Sequence, residues 1–380
     1  MKKIVYADNA ATTKLDIDAF EAMKPFLLEE YGNPSQPYAF SRIPKKAIKE
    51  SREIIAECIG ASPEEIFFTS GGTESDNWAI KGVGLSGEKK PIIITSSIEH
   101  HAILHACEAM ERMGFQVSYL NPNDVGVVLP ITLEKAITDQ TSLVSVMYAN
   151  NEIGTVQPIE ELCDIAHAHG ALFHTDAVQA VGHVPIDVKK LGVDMLSASA
   201  HKFNGVRGTG FLYVKKGTAI VPYADGGSQE GGLRAGTENT AGIVCMAKAL
   251  QVNCEKLSEN QAHVKSLEKE LLNKLKEKDI AFIRNGGVDT LPGLISLSFA
   301  DKDGEAILHR LDLMGIAVST GSACNSQDTE ISHVLKAIKL DERYAKGTIR
   351  ISLGRNNSYV DVEAIAEALS RIVGSGNHET

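Results

Sequence analysis

The sequence predicts an α/β protein built on a largely parallel sheet covered by helices, with a second, smaller domain after it. Three observations carry that expectation. Between Glu65 and Ala198, short apolar strands alternate with amphipathic helical patterns, the rhythm of successive βαβ units. The chain has 380 residues, enough for about two or three units of ordinary domain size and a sizeable core. A Glu- and Lys-rich helical pattern from about Thr240 to Lys278 then leads into two alternating strands, Gly293 to Phe299 and Gly347 to Leu353.

Each element follows from local chemistry. A polar, small-residue segment, Tyr6 to Thr13, opens the chain, and a helical pattern runs from Asp16 to about Glu30. Gly32-Asn33-Pro34-Ser35 breaks it as a turn. Pro44 to Cys58 is an amphipathic helix closed by Gly60. Glu65 to Thr69 is a strand that enters Ser70-Gly71-Gly72-Thr73, after which a helix resumes through Ile80. Strands follow at Ile92–Thr95, Gln116–Tyr119, Leu143–Tyr148, Ala171–Asp176 and Asp194–Ala198. Helices at His101–Met113 and Ile159–His169 lie between them. The tail from Gly374 is polar.

Composition narrows the function. A net charge of -11 argues against a nucleic-acid or anionic-membrane surface. No apolar run approaches membrane-spanning length and the first eight residues lack a signal-peptide core. The six cysteines show no paired spacing, so neither a disulfide framework nor an intrinsic metal site is expected, and a reducing cytoplasm is. Five of them sit in helical patterns. Cys324 instead lies in Ser319-Thr-Gly-Ser-Ala-Cys-Asn-Ser326, without apolar neighbours, where a thiol is accessible; an incidental surface cysteine reads the same.

Chemistry gathers at strand ends. Lys202 closes a run of small residues, Ser197 to Ala200, and precedes Gly205, Gly208 and Gly210, leaving room for a planar ligand. Ser199 and His201 flank it as hydrogen-bonding groups for an anion. Asp176 ends an apolar strand, where a carboxylate needs a cation such as a pyridinium nitrogen, or serves as a helix N-cap. Gly72 and Thr73 sit in a strand–turn–helix layout that aims free N–H groups at an anion, though capping turns look alike. His100 follows a strand and could face a ring or be structural, and Asn151 and Gln179 are hydrogen-bond donors or turn residues. Together they make Lys202 a candidate Schiff-base lysine for pyridoxal 5'-phosphate (PLP).

These motifs, from Tyr6-Ala-Asp-Asn-Ala-Ala-Thr-Thr13 through Thr69-Ser-Gly-Gly-Thr-Glu-Ser-Asp-Asn77, Glu99-His100, Asn150-Asn-Glu-Ile-Gly154, His174-Thr-Asp-Ala-Val-Gln179 and Ser199-Ala-His-Lys202 to Gly321-Ser-Ala-Cys-Asn325 and Arg350-Ile-Ser-Leu-Gly-Arg355, run in family order over nearly the whole chain. The chain resembles the cysteine desulfurases of the NifS/IscS kind, among the class-V aminotransferase-related, fold-type I PLP enzymes. The resemblance implies a large domain (15–255) with a mostly parallel seven-stranded sheet. It also implies a small α+β domain (256–380) that carries the cysteine loop and is joined by residues 1–14. It further implies that Lys202 carries PLP, Asp176 pairs with the ring nitrogen, His100 stacks on the ring and shuttles protons, and Gln179 binds the phenolic oxygen. Gly72, Thr73, Ser199 and His201 hold the phosphate, with Thr237 from the neighbouring subunit of a homodimer. Arg350, helped by Asn151, takes the carboxylate of L-cysteine, and Cys324 accepts the sulfur for an iron–sulfur scaffold or a tRNA-thiolation protein, at most serving as a transient cluster ligand. A selenocysteine lyase, a class-V aminotransferase or a docking platform for sulfur delivery shares much of this set. Two departures stand out: Gln36-Pro37-Tyr38 lacks the family's usual histidine, and Val206-Arg207 replaces Pro-Lys after the lysine.

Overall fold

The computed structural model describes residues 4–86, 91–321 and 331–374. The strands in chain order are β1 (Val5–Tyr6), β2 (Ile66–Thr69), β3 (Ile92–Ser96), β4 (Gln116–Leu120), β5 (Thr141–Ser145), β6 (Leu172–Asp176), β7 (Met195–Ser199), β8 (Gly210–Val214), β9 (Ile283–Asn285), β10 (Leu294–Ser298), β11 (Ile316–Ala317) and β12 (Thr348–Ser352). Seven of them form one sheet in the order β2-β8-β7-β6-β5-β3-β4. All its pairings are parallel except those of β8, which runs against β2 and β7. The expected α/β architecture with a mostly parallel seven-stranded sheet is what the chain adopts.

Helices cover both faces, as buried parallel strands require. They are α1 (Ile17–Met23), α2 (Pro25–Leu28), α3 (Arg42–Ile59), α4 (Gly72–Gly84), α5 (His101–Arg112), α6 (Pro130–Ala136), α7 (Ile159–Ala168), α8 (Val188–Leu191) and α9 (Thr240–Glu255). Their ends carry readable caps. Asp16 accepts the Asp18 and Ala19 N–H groups at the start of α1. Gly60 ends α3 in the left-handed region, with φ 72°.

Beyond α9 the chain continues as α10 (Leu257–Glu277), α11 (Gly304–Leu313), α12 (His333–Ala337), α13 (Glu342–Ala345) and α14 (Tyr359–Val373), packed with the antiparallel sheet β12-β10-β9. A separate buried cluster forms here, from Val264 and Leu267 to Leu369 and Ile372. It takes in Val5 and Ala7, because β1 pairs with β11.

Three readings need correction. The single helix expected over 240–278 is two, broken at Lys256 (φ -106°, ψ 15°). The strand expected to reach Tyr148 ends at Ser145, although the Val146 and Tyr148 N–H groups still donate to His174 O and Asp176 O. No helix follows Asp176. Its carboxylate accepts the Val178 N–H at 2.9 Å in a turn, so the N-cap reading fails.

Candidate active site

The carboxyl ends of the parallel strands converge on a cavity of ≈ 540 Å³, where ligands of such sheets gather. The Ser70–Thr73 turn forms one wall of it, with Gly72 and Thr73 at the first residues of α4. Close packing dictates glycine here. A Cβ on Gly72 would stand 2.6 Å from Val178 Cγ2. One on Gly210, in β8 behind the turn, would stand 2.5 Å from Ala198 O and 2.6 Å from Gly71 Cα.

Lys202 ends a 3-10 turn that follows β7. Its Nζ reaches the N-terminal segment and donates to Ala10 O (2.5 Å) and Ala11 O (3.0 Å). That segment is sewn onto the same turn, since Thr13 Oγ1 donates to His201 O at 2.8 Å and the Asn204 N–H donates to Thr13 Oγ1 at 2.8 Å. His201 lies beside it, its Nδ1 3.2 Å from Thr12 Oγ1. Burial, reinforced by the Lys202 and Arg207 charges, pushes the His201 imidazole down to about 4. Ser199, at the end of β7, also lines the cavity.

His100 caps α5, its Nδ1 accepting the Ala102 N–H at 3.1 Å. Accepting at Nδ1 places the proton of the neutral ring on Nε2. Burial first, then the Lys202 charge and neighbouring imidazoles, push His100 down to about 4. Asp176 sits 5% exposed at the end of β6. Burial lifts its carboxyl to about 6, against the pull of the Val178 N–H and the Lys202 charge. Gln179 lines the cavity three residues on, donating to Ala10 O at 3.0 Å.

Arg350 enters from β12, buried, and also lines the cavity. Its Nη1 donates to Asn151 O and its Nη2 to Asp8 Oδ1, each at 2.8 Å, while its Nε has no partner among the described residues. Asn151 thus meets Arg350 through its main chain. Ser319 pairs with Arg350 in both directions across the backbone, and Gly321 lines the cavity.

One family is matched along this whole frame. The aminotransferase class-V profile covers residues 5–365. The chain belongs to the class-V aminotransferase family, among its cysteine desulfurases. It is 48% identical to the cysteine desulfurase IscS of Dictyoglomus turgidum (strain DSM 6724 / Z-1310), over 98% of this chain and 95% of that protein. It is 46% identical to the cysteine desulfurase IscS of Methanosarcina thermophila, over 98% of this chain and 92% of that one. A solved structure titled as a NifS-like protein superposes with a TM-score of 0.92 at 39% identity, over 98% of this chain and all of that one.

Enzymes of this family depend on PLP, and the residues of the cavity fit that group. Asp176 is a buried carboxylate in want of a cation, the α4 turn presents main-chain donors between glycines, and Lys202 supplies a primary amine. The structure thus brings together Gly72, Thr73, His100, Asn151, Asp176, Gln179, Ser199, His201, Lys202 and Arg350. Thr237 is exposed and does not line the cavity. Cys324 lies outside the described residues. Sequence reasoning missed Asp8, the partner of Arg350, and Asp76, which lines the cavity wholly buried. No local spacing announces either one.

Proposed function

We propose that the protein is a PLP-dependent cysteine desulfurase that converts L-cysteine to L-alanine and carries the sulfur on Cys324. The supporting observation is the convergence of Lys202, Asp176, His100 and Arg350 on one cavity, into whose rim Gly321 leads. Cys324 follows three residues later, a span of at most about 10 Å of extended chain. Bound there, PLP supplies an electron sink for charge developing at the substrate's Cα.

The chain's own groups do the rest. Arg350 orients the substrate carboxylate, with Asp8 and the Asn151 carbonyl holding its guanidinium in place. Lys202 takes the Cα proton, and His100, neutral and carrying its proton on Nε2, moves protons within the cavity. The Cys324 thiolate attacks the substrate sulfur: the carbon–sulfur bond breaks, a sulfur–sulfur bond forms, and the β-carbon gains a proton. Cysteine and one thiol thus become alanine and one persulfide, with the sulfur oxidised as the carbon is reduced. Lys202→Ala should abolish the visible absorbance of lysine-bound PLP and nearly all alanine formation while the circular dichroism stays native. Normal turnover by that variant would remove the assignment.

The homodimer is part of this proposal, as are a cytoplasmic location and an iron–sulfur scaffold or tRNA-thiolation protein as acceptor. Thr237 lies on an exposed segment held at the rim of the α4 turn by the Arg234–Glu74 ion pair (2.8 Å), a position from which it would serve a second copy. PLP retention should then fall on dilution below the dimer's dissociation range, more steeply in Thr237→Ala. Sedimentation that finds a fully loaded, active monomer excludes the shared site.

A further inference from the structure

Behind Asp176 lies a cluster of buried titratable side chains with no part in the reaction above. Asp76, on the second turn of α4, is 1% exposed and lines the same cavity. Its Oδ1 has no hydrogen-bond partner among the described residues. The nearest basic atom is His174 Nε2 at 3.9 Å, beyond hydrogen-bonding reach. His174 precedes Asp176 by two residues in β6, so both project from the same face of the sheet. Its Nδ1 lies 2.9 Å from Ser145 Oγ and its Nε2 2.9 Å from Ser197 Oγ. Burial pushes this imidazole down to about 3, which leaves it neutral and no counter-charge for Asp76.

Glu99, in the turn after β3, completes the set. It is wholly buried, with Oε1 accepting from Ser96 Oγ (2.5 Å) and the Met147 N–H (2.9 Å) and Oε2 without a partner among the described residues. Burial lifts its carboxyl to about 8. The groups that face Asp76 are therefore Asp176 from β6, Glu99 from the β3 turn, the neutral His174 and the Ser197 hydroxyl of β7. The Lys202 charge acts on Asp176.

Three buried carboxyls served by one cation do not all ionise, because each added charge meets both desolvation and repulsion. Asp176 has the claim to the charge, since it accepts a main-chain N–H and feels Lys202. We propose that Asp76 keeps its proton at neutral pH and so acts as a positioning residue that leaves Asp176 the single ionised carboxylate facing the cofactor. The inference rests on the PLP reading of the site. A second charge on Asp76 would raise the proton affinity of Asp176, and a protonated Asp176 forms no ion pair with a pyridinium. Burial of Asp76, then the carboxylates of Asp176 and Glu99, hold that charge off, against a hydrogen bond from the Ser197 hydroxyl that favours it.

Asp76→Asn imitates the protonated acid and provides the test. In the holoenzyme at pH 7, the infrared difference between wild type and D76N should contain the carbonyl stretch of one protonated carboxylic acid. D76N should also retain PLP on dilution within about threefold of wild type. In D176N the Asp76 band should bleach at lower pH than in wild type, since the negative charge that favours its proton is gone. Should D76N not fold, carboxyl-labelled aspartate in wild type and D176N reads the same band without touching Asp76. A merely structural Asp76 would not shift with Asp176. Three outcomes overturn the proposal while leaving the PLP assignment to the Lys202 test: a carboxylate stretch in place of the acid band, a band unmoved by D176N, or a native-like D76N that holds PLP about tenfold or more weakly.

Discussion

Arg350 spends two guanidinium N–H groups inside the protein, on Asp8 and on the Asn151 carbonyl, while its Nε has no partner among the described residues. Removing a charge-assisted carboxylate contact costs roughly 1.5–3 kcal/mol. Arg350→Ala should therefore raise the KM for cysteine about tenfold or more with PLP still loaded, and the absorbance of the cofactor reports the loading. A variant with unchanged KM would take substrate binding away from this residue. Much of the site was legible at this scale. Lys202, Asp176 and His100 each lie at or just beyond the end of a strand and sit beside small or polar residues, where a charged group has no packing reason to be. Asp8 was not legible, because its partner stands 342 residues away in the chain. Asp76 and His174 were not either: inside a helix and a strand their roles come from what the tertiary fold packs against them.

Among the elements, β8 and the α4 turn are packed main chain against main chain. Their contact leaves no space for a methyl group at Gly210, which would meet main-chain atoms of Ala198 and Gly71 rather than a flexible side chain. Gly210→Ala should destabilise the fold by about 1–3 kcal/mol and loosen PLP more than it lowers the melting temperature of the cofactor-free protein. Thermal melts with and without PLP read both, and equal shifts in the two would mean that the turn is not what moves. The strand–helix rhythm made this sheet readable, because short continuous apolar runs and period-3.6 patterns alternate from β2 to β7. The break at Lys256 was not readable. Cys254-Glu-Lys-Leu257 contains neither Gly nor Pro, so packing against two different cores ends one helix and starts the next. Short helices such as α12 and α13, capped by Ser332 and Asp341, span too few residues to show a period.

Over the whole molecule, the N-terminal segment ties two hydrophobic cores to one cavity. β1 pairs with β11 beside the second core, Asn9 Nδ2 donates to Ser352 O at 2.8 Å, and Thr13 holds the Lys202 turn. Both the lysine and the arginine of the site are thereby fixed relative to the strand from which the Cys324 segment departs. In the proposed reaction this geometry serves sulfur transfer to Cys324. The most direct measurement is the mass of the Cys324 peptide after the holoenzyme meets one equivalent of L-cysteine, with alanine counted in the same sample. The account predicts a peptide heavier by one sulfur, reversible by thiol reductant, in step with one alanine per subunit, and neither product from Cys324→Ala with PLP still bound. Alanine released at the wild-type rate by Cys324→Ala, or sulfur found on another cysteine, would contradict it.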